Sequence, residues 1–224
     1  MELEVFILAG GKSRRMGTDK GIISFNGKAM VQYSIDKANQ LSDRVTIISN
    51  NLAYKEFGVS VVKDIVPNIG PIGGVYTALK KSNVDNVLVL TVDSPMLQLD
   101  LINELIKAHL QNDVTYLRGL NRIYPLTAIY NKTSLEVIKM QIEQGNFTVR
   151  DCFNNLRCGS VEVGAAQVNQ LANINTLLDL KKYESNMRIY IITIKYDDLN
   201  LYSNGHLFIL LTREFRAGLY ILLE

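Results

Sequence analysis

Fourteen consecutive residues, Leu8-Ala9-Gly10-Gly11-Lys12-Ser13-Arg14-Arg15-Met16-Gly17-Thr18-Asp19-Lys20-Gly21, join a glycine turn to four basic side chains, directly after the largely apolar run from Leu3 to Leu8. A glycine-rich turn leaving a buried strand presents several backbone N–H groups together, and the cations behind it supply charge for a polyphosphate. Lys20 stands ten residues beyond Gly10, a span that lets the loop wrap a triphosphate and bring the ammonium back onto it. An isolated Gly-Gly-Lys is ordinarily a solvated surface turn; the whole string points to nucleotide handling. Two common phosphate motifs are excluded. A P-loop needs glycine five positions ahead of its Gly-Lys-Ser, and Phe6 occupies that place. The dinucleotide fingerprint needs one residue between its first two glycines, whereas Gly10 and Gly11 are adjacent.

The elements that must hold this loop alternate along the chain. Leu3 to Ala9, Val45 to Ser49 and Val59 to Val62 read as strands, with a helix between the first two from Val31 to Leu41. Ile72 to Lys81 has helical spacing, with Gly73 and Gly74 permitting close approach at its start. Val87 to Val92 is apolar but for Thr91, as for a central parallel strand covered on both faces. Further helices are predicted over Leu99 to Leu110, Ser134 to Glu143 and, in a short form, Val149 to Leu156; Val114 to Leu117 and Leu126 to Tyr130 read as strands. The expected fold is α/β, a Rossmann-like three-layer sandwich on a mostly parallel sheet. Ligands of such sheets bind beyond the carboxyl ends of the strands. Three of those ends carry chemistry: the glycine loop, Asp64 and Asp93. One crevice should collect them.

The glycine-loop string resembles the signature of the nucleotidyltransferases that act on molybdopterin, and among them the molybdenum cofactor guanylyltransferases of the MobA type. The resemblance continues through Asp64, Gly70-Pro71-Ile72-Gly73-Gly74, Val92-Asp93-Ser94-Pro95, Tyr124-Pro125-Leu126 and Asn173-Ile174-Asn175-Thr176, in the family's order. It covers about the first 183 residues. It implies transfer of GMP from GTP to the molybdopterin cofactor, with release of pyrophosphate and formation of molybdopterin guanine dinucleotide. A terminal phosphate on the acceptor attacks the α-phosphorus in line, so catalysis rests on positioning and charge neutralisation.

Residue by residue, the resemblance makes Asp93 the ligand of a magnesium ion, Mg2+, a hard cation that favours carboxylate oxygen and completes its shell with water and phosphate. Lys20 corresponds to the nucleotide-binding lysine, and Arg15 is a candidate for the leaving pyrophosphate, in competition with Lys12 and Arg14. Leu8, Ala9 and Gly10 are expected to line the purine and ribose pocket through their backbone, and Asp64 matches a guanine-side or ribose contact. Gly11 resembles the guanylyl rather than the cytidylyl relatives, which favours GTP over CTP. The local alternatives are a helix cap for Asp93 or Ser94, a surface pair with Asp19 for Lys20 and a solvated loop acid for Asp64. Asn173 and Asn175 are site-lining or turn residues. Leu177 stands where the family commonly has proline, and Thr176 can cap the segment from Leu177 to Tyr183.

At 224 residues with net charge +2, the chain can bury a full core and carries no electrostatic signature of a nucleic-acid partner. Glu2 and Glu4 stand where a secretory signal is basic, and no run approaches the roughly 18 apolar residues of a membrane span, so a cytoplasmic location without membrane contact is expected. Cys152 and Cys158, with five residues between them and no neighbouring histidine, suit reduced thiols better than a zinc site. Residues 1–183 form the expected nucleotidyltransferase domain. Residues 184–224 fall outside the resemblance and form an extension of hairpin character, with Asn204-Gly205 as its turn and His206 as a strand residue. Other readings remain open: a relative using CTP or a sugar-phosphate acceptor, or a non-catalytic nucleotide-binding scaffold. GTP and molybdopterin are the expected partners, and proteins of cofactor synthesis or the molybdoenzymes are compatible with the extension as a docking element.

Overall fold

The computed structural model describes residues 1–10, 19–119 and 122–184, together with the backbone of 208–209 and 221–222. In chain order the strands are β1 (Leu3–Leu8), β2 (Ser24–Phe25), β3 (Lys28–Ala29), β4 (Val45–Ile48), β5 (Ser60–Val62), β6 (Asn86–Thr91), β7 (Val114–Gly119), β8 (Arg122–Asn131) and β9 (Cys158–Glu162). The helices are α1 (Met30–Ala38), α2 (Pro71–Lys81), α3 (Leu99–Ala108) and α4 (Leu135–Glu143), and residues 177–184 are also helical. Seven strands form one sheet in the order β5-β4-β1-β6-β8-β7-β9. Every neighbouring pair is parallel except those made by β8, which runs against both β6 and β7.

Helices cover both faces, which is why the central strands are predominantly apolar. Side chains alternate between two cores because successive residues of a strand point to opposite faces. Val5 and Ile7 of β1 join Val31 and Ile35 of α1 and Leu101 and Leu105 of α3 on one side. Phe6 joins Ile72, Val75 and Leu79 of α2 and Ile138 of α4 on the other. The result is the three-layer, mostly parallel sandwich that the alternation of elements implies.

The strand order turns at β1, which pairs with β4 on one side and β6 on the other. That arrangement opens a crevice beyond the carboxyl ends of β1 and β6. Gly74 lets α2 close on this point: a Cβ there would lie 2.9 Å from Leu8 Cδ2.

Three local features differ from the sequence reading. The short helix expected from Val149 is a 3-10 run, Val149–Asn155. The strand expected from Leu126 starts at Arg122 and passes through Pro125, because its pairing with β7 jumps from Tyr116↔Ala128 to Leu117↔Tyr124. Proline is tolerated there since the bulged residues make no ladder bonds, and the Tyr130 hydroxyl anchors the bulge by donating to the Pro125 carbonyl at 2.6 Å. β9 has no counterpart in the sequence reading; only Gly159 and Val161 are even half-buried on this edge strand.

The chain divides into two compact units, Met1–Glu184 and Ser185–Glu224. In the second, β10 (Phe208–Ile209) and β11 (Ile221–Leu222) pair antiparallel. The Asn204-Gly205 turn and His206 lie outside the described residues. Cys152 is buried, Cys158 exposed, and both are free thiols. Among the described residues no helix is long and apolar enough to cross a membrane.

Candidate active site

A cavity of about 790 Å³ opens over the carboxyl ends of four parallel strands. Leu8, Ala9 and Gly10 enter from β1, Ser49 to Asn51 from β4, Asp64 from β5, and Thr91 to Asp93 from β6. The N-terminal end of α2 adds Gly70 and Pro71, and the bulge in β8 adds Leu126. The crevice expected from the sequence thus holds Leu8, Ala9, Gly10, Lys20, Asp64 and Asp93 together. Arg15, with Gly11, Lys12 and Arg14, lies outside the described residues.

Asp93 sits at the end of β6 with its side chain 21% exposed. The Thr91 hydroxyl donates to its Oδ1 at 2.7 Å, and Lys20 Nζ stands 3.7 Å from its Oδ2. The same ammonium donates to Asn175 Oδ1 at 2.5 Å. The segment around Asn175 also holds the acid's own loop: Ile174 N donates to the Asp93 carbonyl at 2.8 Å, and the Ser94 hydroxyl to Asn173 Oδ1 at 3.0 Å. Asn173 and Asn175 thus bond to the Asp93 loop and to Lys20 across 79 and 155 positions of sequence. Below them the chain turns into the helix over residues 177–184 through a capping box. Asp179 Oδ2 accepts from the Asn175 and Thr176 N–H groups, while Thr176 Oγ1 accepts from Asp179 N at 3.1 Å. That reciprocal cap stands in for the missing proline at Leu177.

Asp19 plays a part that its position beside Lys20 conceals. Its Oδ1 accepts from Gly21 N at 3.2 Å and from the Tyr54 hydroxyl, and its Oδ2 from Asn51 Nδ2 at 3.0 Å. The phenol of Tyr54 is fully buried, and burial first, with the Asp19 hydrogen bond second, holds its pKa far above the ordinary value. Gly21 is required here, since a Cβ would lie 2.2 Å from the phenol oxygen. These contacts seat the 3-10 turn Lys20–Ile22, and with it Lys20. Sequence reasoning missed Asn51 and Tyr54; the signal available was their place just after the strand Val45 to Ser49.

Asp64 presents a different environment. Its carboxylate accepts no hydrogen bond from any described residue, and burial pushes its pKa up. Its neighbour Ile65 is tied down instead, N–H to Thr77 Oγ1 at 2.9 Å.

A strand-end cavity of this make-up coincides with a sequence match over residues 5–157 to the MobA-like NTP transferase domain. The chain belongs to the MobA-like NTP transferase family. A Flavobacterium johnsoniae protein named "Probable molybdenum cofactor guanylyltransferase" is 30% identical over 186 residues, covering 83% of this chain and 98% of that one. The molybdenum cofactor guanylyltransferase of Shewanella sp. strain MR-4 is 31% identical over 182 residues, covering 79% and 92%. In three dimensions the chain is similar to molybdopterin-guanine dinucleotide biosynthesis protein A from Archaeoglobus fulgidus, with a TM-score of 0.70, 21% identity and coverage of 83% and 99%. This MobA-like chain is accordingly a nucleotidyltransferase, a family that generally uses a divalent metal.

The donor set suits such a metal. Among the described residues no group of three or more His, Cys, Asp or Glu side chains gathers as a dedicated cage. A partly exposed carboxylate in a nucleotide cavity is what a hard cation needs when water and phosphate complete its shell. Asp93 meets that description, with Oδ1 fixed by Thr91 and Oδ2 facing the cation of Lys20.

Proposed function

We propose that this protein transfers GMP from GTP to molybdopterin, releasing pyrophosphate and forming molybdopterin guanine dinucleotide, with residues 1–183 as the catalytic unit. The observation that carries this is the convergence of Lys20, itself bonded to Asn175, and Asp93 in a strand-end cavity large enough for a nucleotide. In the reaction an oxygen of the acceptor's terminal phosphate forms a bond to the α-phosphorus of GTP, and the bond from that phosphorus to the bridging oxygen of the leaving pyrophosphate breaks.

Each group of the chain has work in that step. Lys20, positioned through Gly21 and Asp19, offers a cation to the triphosphate. The N-terminal end of α2 adds backbone N–H groups and the positive end of its dipole. Backbone groups of Leu8 to Gly10 and the carboxylate of Asp64 line the base and ribose side. Asp93 is the residue that would hold Mg2+, which when bound supplies charge for the phosphate oxygens. Arg15 remains our candidate for the pyrophosphate end.

The deciding assay is pyrophosphate release with purified protein, molybdopterin and either GTP or CTP, with and without Mg2+. Release that requires GTP, acceptor and Mg2+ together is expected. Release with CTP alone would move the base assignment, and tight GTP binding without turnover would indicate a scaffold.

A further inference from the structure

Asp93 is held from two sides, and only one of them is the Asn173–Asn175 segment. On the other side lies α1. The Ser34 hydroxyl donates to the Thr91 carbonyl at 2.9 Å, and Lys37 Nζ donates to the Pro95 carbonyl at 3.3 Å. The helix thus grips the loop two residues before the acid and two residues after it.

Lys37 is unusual for its type, with only 9% of its surface exposed. Lysine is almost never buried so far unless its charge is paired. Pro95 is buried too, and among the described residues no other donor reaches its carbonyl. A buried carbonyl needs a partner, so each group answers the other's need. Around the ammonium, Tyr33 offers its ring at 5.8 Å, while Asp36 and Lys28 act on it with opposite sign. Burial lowers its pKa to about 8, which leaves it a cationic donor at neutral pH.

We propose that Lys37 is a positioning residue for nucleotidyl transfer, fixing the Pro95 end of the loop so that the Asp93 carboxylate is presented to the metal in one orientation. The inference rests on Asp93 being the metal ligand. It concerns a side chain outside the cavity, acting through the backbone of residues 93–95.

The test compares wild type with Lys37→Met, which keeps the buried stem and removes the donor, and Lys37→Arg, which keeps a cationic donor. Amide hydrogen exchange across residues 91–97 is measured on the ligand-free protein. Mn2+ affinity in the presence of GTP is measured by electron paramagnetic resonance, with Asp93→Asn as the control. In Lys37→Met, exchange across 91–97 is expected to accelerate, and Mn2+ affinity to fall, by about tenfold each, while exchange in β1 stays near wild type and the melting temperature falls by no more than a few degrees. Lys37→Arg is expected to restore both. Wild-type exchange and Mn2+ affinity in Lys37→Met, or a loss in Lys37→Arg equal to that in Lys37→Met, would overturn the inference. Undiminished Mn2+ affinity in Asp93→Asn would instead overturn the assignment of the metal ligand.

Discussion

Two acid–base pairs, one in the cavity and one at the far edge of the sheet, show how differently the same two charges can be wired. Asp113 at the start of β7 is saturated. Its two oxygens accept Arg157 Nη2 at 2.9 Å, Arg157 Nε at 3.1 Å, the Arg157 N–H at 2.9 Å and the Thr133 hydroxyl at 2.7 Å. Those hydrogen bonds, Arg157 foremost, hold its carboxyl well below the usual range. Asp93 faces the Lys20 ammonium at 3.7 Å, outside hydrogen-bond reach, and among the described residues its carboxylate accepts one short bond, from Thr91. A bidentate arginine fork consumes the carboxylate it meets. A single ammonium at longer range leaves lone pairs for a ligand. The edge pair stitches β9 to the sheet, and the cavity pair is the one we propose for phosphate and metal.

Breaking the cavity pair should cost activity while sparing the fold. Asp93→Ala is expected to lower kcat on the order of 10³-fold and Lys20→Ala about 10²-fold, as for groups that stabilise transition-state charge. Steady-state kinetics and thermal melts on the same samples check both halves of the statement. A structural role for either residue would instead appear as a loss of melting temperature in proportion to the loss of turnover.

Gly21→Ala tests the support beneath Lys20. The added Cβ collides with a phenol that is fully buried and bonded to Asp19, so the cost should be roughly 1–3 kcal/mol, typical of overpacking. Chemical denaturation reads that cost. A weaker GTP affinity should accompany it, because the turn that carries Lys20 must shift.

The edge pair sharpens the contrast with the smallest effect. Asp113 titrates lower in the folded protein than in the unfolded chain, so it favours folding at neutral pH. That stabilisation is lost as pH falls below its unfolded value of about 3.9 and toward the folded one. Asp113→Asn is expected to lower the melting temperature at pH 7, flatten its decline through the acid range and leave turnover at pH 7 unchanged. Equal acid slopes in wild type and variant would show that Arg157 does not distinguish the charged acid.

How far the sequence could be read follows from where each signal lies. The alternating elements and the apolar run Val87 to Val92 ending at Asp93 are local patterns, and the sheet and the central acid emerge from them directly. Gly73 and Gly74 likewise announce the approach of α2 to Leu8. Asp19 was opaque because adjacency to Lys20 suggests a surface pair, whereas its partners Asn51 and Tyr54 lie 32 and 35 residues on. The bracing of Asp93 by Ser34, Lys37 and Ile174 depends on tertiary contact alone. β9 escaped notice because Cys-Gly-Ser-Val-Glu has little apolar alternation, its place being fixed by Asp113 and Arg157 rather than by a buried face.

The most direct test is titration calorimetry of GTP into the wild-type protein and Lys20→Ala at physiological Mg2+. Saturable one-to-one binding to the wild type, weakened at least tenfold by the substitution, is the expected result. No heat of binding with GTP or any other nucleoside triphosphate would contradict a nucleotide site at the ends of β1 and β6.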